Sequence, residues 1–391
     1  MNIKSLILGS AVSALAATGA RAADAIVIAE PEPVEYVRIC DVYGAGFFYI
    51  PGTETCLRIS GYVFHQIGAT SWNDAGDTPS WSGSTGTRAD RFTTRTRARV
   101  NFDARSETQY GTLRSYIRLQ SDMIENGHNA ANTGSDGAAV IDQAWISLGG
   151  FLAGYTESAF QSSNLVGSLT NGTGFSEDKI TYADHQRQLI QYNFTGSNGF
   201  FAVVSLENDP DDGSVGHFPG GGLDRANYLP DLVGKIGIQQ GWGAAWLTVG
   251  VDEDSYWTGD TEFAVKAGLH YNVPGAPGSA FRLVGHYNSD PNSYQQGGNQ
   301  ASSVLWSSEW SVYAGYRHQF NKQVAAWIGG AYYNDMYGAG GVTTNRDGFH
   351  VETGLNWTAV KNIEVRAEAV YTKVDALDGT MSGFLRFTRS F

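Results

Sequence analysis

Five arginines carry the most suggestive spacing in this sequence. In "RFTTRTRARVNFDARSE" (residues 91–107) Arg95, Arg97 and Arg99 recur at every second position, and "TLRSYIRLQ" adds Arg114 and Arg118 shortly after. Set against acids across a water-filled space, such a row makes a transverse field that orients dipolar solutes and rejects apolar ones. Groups for other chemistry are missing from the sequence. The eight histidines are scattered, with no H-E-x-x-H and no pair at metal-ligand spacing, and there is neither a G-x-S-x-G nor a phosphate loop. "NDPDDGS" (Asn208 to Ser214) offers oxygen ligands for Ca²⁺, but a solvated acidic loop explains it more simply. No metal and no cofactor are expected.

A period of two belongs to a β-strand, where alternate side chains share a face. Arg95, Arg97, Arg99, Asn101, Asp103 and Arg105 then point one way, and Thr94, Thr96, Ala98, Val100 and Phe102 the other. The next stretch repeats the scheme, with Arg114, Tyr116 and Arg118 opposite Leu113, Ile117 and Leu119. Similar alternation runs through "EFAVKAGLHYNV", "AFRLVGHYN", "GFHVETGLNW" and "NIEVRAEAVYT". These strands are apolar on one side and frankly charged on the other.

Residues 1–22 have the pattern of a secretory signal: Lys4, a short apolar stretch, then Ala20-Arg21-Ala22 as an A-x-A-like cleavage site. Removing them takes away Lys4 and Arg21 and no acid, leaving 24 basic against 39 acidic residues, a net charge of −15. That acidic balance argues against nucleic acid as a partner. No later run of 18 apolar residues suggests a transmembrane helix. Few charges (17%) and many aromatics (13%), without long apolar runs, suit many short strands.

The connections separate a membrane barrel from a soluble sandwich. Short turns near 106–110, 149–150, 196–199, 240–242, 273–279, 320–322 and 358–362 take turns with long polar loops. The long loops lie near 71–91, 121–138, 156–186, 208–228, 253–261, 289–303, 336–346 and 374–380. Seven turns and eight loops delimit sixteen strands. Short turns at one end and long loops at the other are how transmembrane antiparallel β-barrels are built, and closure leaves no backbone group unpaired in lipid. An arginine on the lipid face at mid-membrane costs about 2–4 kcal/mol, so the arginine face must line the lumen. The ending "GFLRFTRSF" agrees, with Phe387 and Leu385 on the parity of a terminal Phe391.

A basic wall calls for facing acids. The longest internal loop, roughly Thr156 to Gln186, is the third long loop and holds Glu157, Glu177, Asp178 and Asp184. Folded into the lumen, it would set these against Arg95, Arg97, Arg99, Arg114 and Arg118 as a constriction. The blander reading is that the arginines merely neutralise neighbouring lumen carboxylates. Cys40 and Cys56 are the only cysteines and enclose 15 residues. In an exported chain they point to a structural disulfide rather than free thiols, stabilising by about 3 kcal/mol. The sequence thus divides into residues 1–22 (signal), 23–56 (N-terminal segment with the disulfide) and 57–391 (barrel).

The stretches 34–63, 142–160 and 383–391 resemble the general porins of alphaproteobacterial outer membranes, of the rhizobial and brucella type. The resemblance implies a homotrimer of sixteen-stranded barrels with an inward third loop, embedded in outer-membrane lipid and lipopolysaccharide. Small hydrophilic solutes and ions would pass by passive diffusion. "GYVFHQ" departs from it, lacking the basic residue expected soon after Gly61-Tyr62-Val63. Two other readings are weighed. A substrate-specific channel, for a sugar for instance, would use stacking residues such as Trp145, Trp246 and Trp327, which have inward parity. An outer-membrane hydrolase would need a Ser/His pair, and none stands out.

Overall fold

The structure is a computed structural model that describes residues 38–72, 91–126, 138–176, 186–208, 229–253, 255, 258–294, 308–337, 343–376 and 379–391. Sixteen long strands run in chain order: β1 Cys56–Trp72, β2 Arg91–Thr108, β3 Gly111–Asn126, β4 Val140–Leu148, β5 Phe151–Glu157, β6 Gln186–Thr195, β7 Phe200–Glu207 and β8 Asp231–Gln240. They continue as β9 Gly243–Asp252, β10 Glu262–Asn272, β11 Ala280–Asn288, β12 Ser308–Gln319, β13 Val324–Met336, β14 Gly348–Val360, β15 Ile363–Val374 and β16 Thr380–Ser390. Each pairs antiparallel with the next, and β16 pairs with β1 from Thr380↔Trp72 to Ser390↔Tyr62, closing the barrel. The bonds Gly61 N→Phe391 O (3.1 Å) and Phe391 N→Gly61 O (3.0 Å) finish that seam.

The alternation sorts side chains as the sequence predicts. Val63, Ile67, Leu113, Ile117, Ile190, Ile236, Leu269, Leu283, Val351, Leu355, Leu385 and Phe387 stand exposed on the outer wall. Charged and polar groups of the same strands are buried on the inner one. An apolar exterior of this extent belongs in hydrocarbon, where a closed sheet satisfies every ladder hydrogen bond. The connections fall where the alternation breaks. Lys361–Asn362 make a two-residue turn with Asn362 at φ 66°, a left-handed conformation that Asn tolerates. Gly149 takes φ 57° in the two-residue turn between β4 and β5.

Below Tyr62 the β1 edge has no partner from β16. A two-residue strand, Phe48–Tyr49, takes over there, pairing Phe48↔Leu57 and Tyr49↔Cys56. It belongs to a hook begun by a single-turn 3₁₀ helix at Asp41–Tyr43 and pinned by a Cys40–Cys56 disulfide, Cα–Cα 6.0 Å. Phe47 is buried between both cysteines and the stacked guanidiniums of Arg58 (4.9 Å) and Arg105 (5.0 Å). Residues 1–22 and the Asp209–Ser214 part of the acidic loop lie outside the described residues.

Candidate pore constriction

The predicted arginine ladder lines the lumen, and the register shows what holds it. Arg97 on β2 sits opposite Asp122 on β3. Asp122 accepts from Arg95 Nε at 2.7 Å and from Arg97 Nε at 2.9 Å. Asp142 on β4 lies 3.5 Å from Arg99 and 3.3 Å from Arg118. Arg99 also donates to Gln120 Oε1. Nearer the short-turn end, Asp103 gathers Arg105 (2.7 Å), Arg114 (2.8 Å) and Arg58 (3.4 Å). Glu157, at the start of the third long loop, stands 3.8 Å from Arg118. Among the described residues seven guanidiniums therefore share four carboxylates, a positive excess on this wall. Within that set, pairs on neighbouring strands supply most of the neutralisation.

Phe64 occupies the inward position just after Gly61-Tyr62-Val63, where a basic residue was expected. It is buried beneath the guanidiniums of Arg386 (4.4 Å), Arg97 (5.7 Å) and Arg95 (5.8 Å), a cation–π seat for three charges. Arg386 in turn donates to Gln66 Oε1 at 2.8 and 2.6 Å. The basic sector is thus wider than the two strands predicted, reaching across the seam to β16.

The third loop enters the barrel and spans it, leaning on the far wall along Ala159–Asn171 and returning at Phe175 to Arg366 on β15, the cross-strand partner of Arg386. Ala159 N donates to Glu207 Oε1 on β7 (2.9 Å), and Leu169 N to Gln239 Oε1 on β8 (2.9 Å). Arg282 on β11 donates to Leu169 O (2.5 Å) and Asn171 O (3.2 Å), and Arg366 on β15 to Phe175 O (2.9 Å). The described stretch Ser158–Ser176 carries no charged residue at all. Of the predicted loop acids only Glu157 is placed beside the arginines. Glu177, Asp178 and Asp184 lie outside the described residues.

Sequence reasoning missed Asp122, Asp142, Phe64 and Arg386. Asp122 and Arg386 were in principle legible, since each continues an inward parity already recognised. Asp142 was not. Arg118 pairs with Gln143 but Leu119 with Ile141, so a β-bulge at Asp142 puts two successive polar side chains toward the lumen.

Trp145, Trp246 and Trp327 do point inward, yet they are only 4%, 5% and 4% exposed. Each sits directly across from a glycine on the following strand: Gly154, Gly268 and Gly354. A Cβ on Gly268 would meet the Trp246 ring at 2.1 Å, and one on Gly354 the Trp327 ring at 2.0 Å. The indoles of Trp246 and Trp327 fill these gaps, Trp145 stacks on Tyr116 (5.0 Å), and Arg114 covers Trp145 (4.7 Å) and Arg366 covers Trp327 (4.8 Å). Little ring face remains for a sugar.

Comparison with known proteins agrees with this architecture. A family model described as a porin subfamily matches residues 24–383. The chain is 36% identical to porin Omp2b of Brucella suis over 417 residues, and 35% identical to porin Omp2b of Brucella abortus over 413, each alignment covering both chains fully. Among solved structures, the outer membrane channel DcaP of Acinetobacter baumannii superposes with TM-score 0.64 at 16% identity, over 88% of this chain and 99% of that one. An anion-selective porin from Comamonas acidovorans superposes with TM-score 0.56 at 13% identity, over 86% and 100%.

Proposed function

We propose that this chain, which belongs to the porin subfamily and is a water-filled diffusion channel of the bacterial outer membrane, favours anions among the small hydrophilic solutes it passes. The constriction in this reading lies between the wall of Arg95, Arg97, Arg99, Arg114 and Arg118 and the third loop. The observation that carries it is the charge balance of that wall among the described residues, seven guanidiniums to four carboxylates. The uncharged Ser158–Ser176 stretch offers no acids to cancel the excess. A field from one wall concentrates counter-ions near it and raises their flux, more so at low salt. Glu157 moderates the effect beside Arg118; Glu177, Asp178 and Asp184 lie outside the described residues and form no part of that balance.

The functional unit in this reading is a homotrimer set in outer-membrane lipid and lipopolysaccharide. Family membership and the apolar outer wall support that assembly. Zero-current potentials across a planar bilayer with a KCl gradient test the selectivity: anion-side values are expected, and a cation-side value overturns it. Three equal conductance steps per insertion test the trimer.

A further inference from the structure

On the wall across from the arginines, four inward side chains form one row. Lys235 on β8 is directly opposite Thr248 on β9, Thr248 is opposite Lys266 on β10, and Lys266 is opposite His286 on β11. Paired residues of adjacent antiparallel strands have Cα atoms about 4.5–5.5 Å apart, so the two lysines rise about 10 Å apart around one threonine. The third loop covers them. Phe160 lies 4.6 Å from Lys266 Nζ, which donates to Gln161 Oε1 at 3.3 Å. Lys235 is 1% exposed, Lys266 2% and Thr248 0%.

The row has no negative charge to match. Among the described residues no carboxylate pairs with either lysine. Lys235 Nζ, Thr248 Oγ1 and His286 Nδ1 are buried without a hydrogen-bond partner among the described residues. Among the described residues Arg282 acts on Lys235, and Lys235 and Arg282 act on Lys266, all charges of one sign. Burying an ammonium without a partner is costly, and native folds rarely keep such groups unless something satisfies them. The contrast with the neighbouring Arg187, which meets Asp231 at 2.8 Å and Glu207 at 3.7 Å, is direct. There the wall supplies its own anions; at Lys235 and Lys266 it supplies only donors.

We propose that a small inorganic anion binds between Lys235 Nζ, Thr248 Oγ1 and Lys266 Nζ, beneath the third loop. The site is apart from the solute path along the arginine wall and stands whether or not that wall favours anions. It has a structural consequence, because Lys266 also holds Gln161. The anion ties β8 and β10 to the loop's first turn, so its occupancy sets how firmly the loop is seated. Ammonium and hydroxyl donors with no carboxylate suit a halide as well as a phosphate or sulfate oxygen.

Bromide is the probe. Crystals of the full-length protein grown in sodium bromide are expected to show an anomalous peak between the two Nζ atoms. In detergent, the thermal midpoint is expected to rise saturably with bromide and with phosphate, but not with gluconate at equal ionic strength. The peak and the saturable rise are both expected to be lost in Lys235→Met. Absence of the peak in the wild-type protein overturns the proposal, whatever the variant does. So does a rise that survives in Lys235→Met, or a carboxylate of residues 177–185 seen between the two lysines.

Discussion

Arg97 grips Asp122 with two nitrogens at once, Nε 2.9 Å from Oδ1 and Nη2 2.9 Å from Oδ2. This two-pronged fit fixes the guanidinium's plane as well as its place. Because Arg95 Nε shares the same Oδ1 at 2.7 Å, one aspartate orients two charges of the ladder. Removing charge from the ladder should therefore read out directly in selectivity. Arg97→Gln with Arg99→Gln is expected to move the zero-current potential toward cations, changing the chloride-to-potassium permeability ratio on the order of a few-fold at 0.1 M KCl. Unchanged potentials would place these arginines away from the ion path.

Asp122→Asn should act in the opposite sense. It leaves Arg95 and Arg97 without their shared carboxylate and adds one to the positive excess. Anion preference is expected to rise at 0.1 M KCl and to fade at 1 M, where the screening length falls from about 10 Å to about 3 Å. The same bilayer measurement at both salts checks it.

The pairing of Trp246 with Gly268 leaves no room for a side chain, since a Cβ there meets the ring at 2.1 Å. Gly268→Val is expected to destabilise the barrel by about 1–3 kcal/mol through overpacking. Gly285→Ala, whose Cβ meets nothing within 4 Å, serves as the control and should change little. Urea unfolding in lipid vesicles, followed by tryptophan fluorescence, compares the two. Equal midpoints would show that the indole moves aside freely.

Reducing the Cys40–Cys56 bridge, or replacing both cysteines with serine, removes a cross-link worth about 3 kcal/mol in the unfolded chain. None of the sixteen strand pairings depends on it, so conductance is expected to persist. The hook from Cys40 to Thr55 should become open to proteases. Limited proteolysis before and after reduction, with conductance in parallel, separates the two effects.

Asp347, just before β14, accepts from the Tyr332 hydroxyl, from Asp335 N at 3.0 Å and from Asn334 Nδ2 at 3.1 Å. The Tyr332 hydroxyl, followed by the Asp335 amide, holds its carboxyl below the ordinary value of 3.8. A carboxylate lowered in the folded state adds stability above its ordinary pKa and loses it as pH falls through the lowered one. The Asp335–Asp347 corner is therefore expected to keep its amide protection at pH 6 and lose it below about pH 4. Hydrogen exchange at the two pH values tests this, with Asp347→Asn expected to flatten the difference.

Much of this molecule was legible because a barrel wall is one residue thick, so every side chain faces either lipid or lumen. Arg95, Arg97 and Arg99 could be turned inward by parity and by the cost of charge in hydrocarbon, before any coordinates. The turn at Lys361–Asn362 and the short β5 were equally readable. Asp142 escaped because a bulge breaks the count of two on which parity rests. The loop's path escaped as well. Ser158–Ser176 has no periodicity to read, and what seats it are Glu207, Gln239 and Arg282, distant in sequence. The side the tryptophans face was readable by parity, but not their burial, because the glycine opposite each depends on cross-strand register.

The seam between β1 and β16 joins distant residues: Gln66 and Arg386, for example, are 320 positions apart along the chain. Such a junction cannot form early: the ends of a long chain must meet against its full loop-closure entropy. Until the sixteenth strand arrives, both rims are bare templates for any passing extended peptide. Closure at this seam is therefore what removes the last exposed backbone edges from the wall.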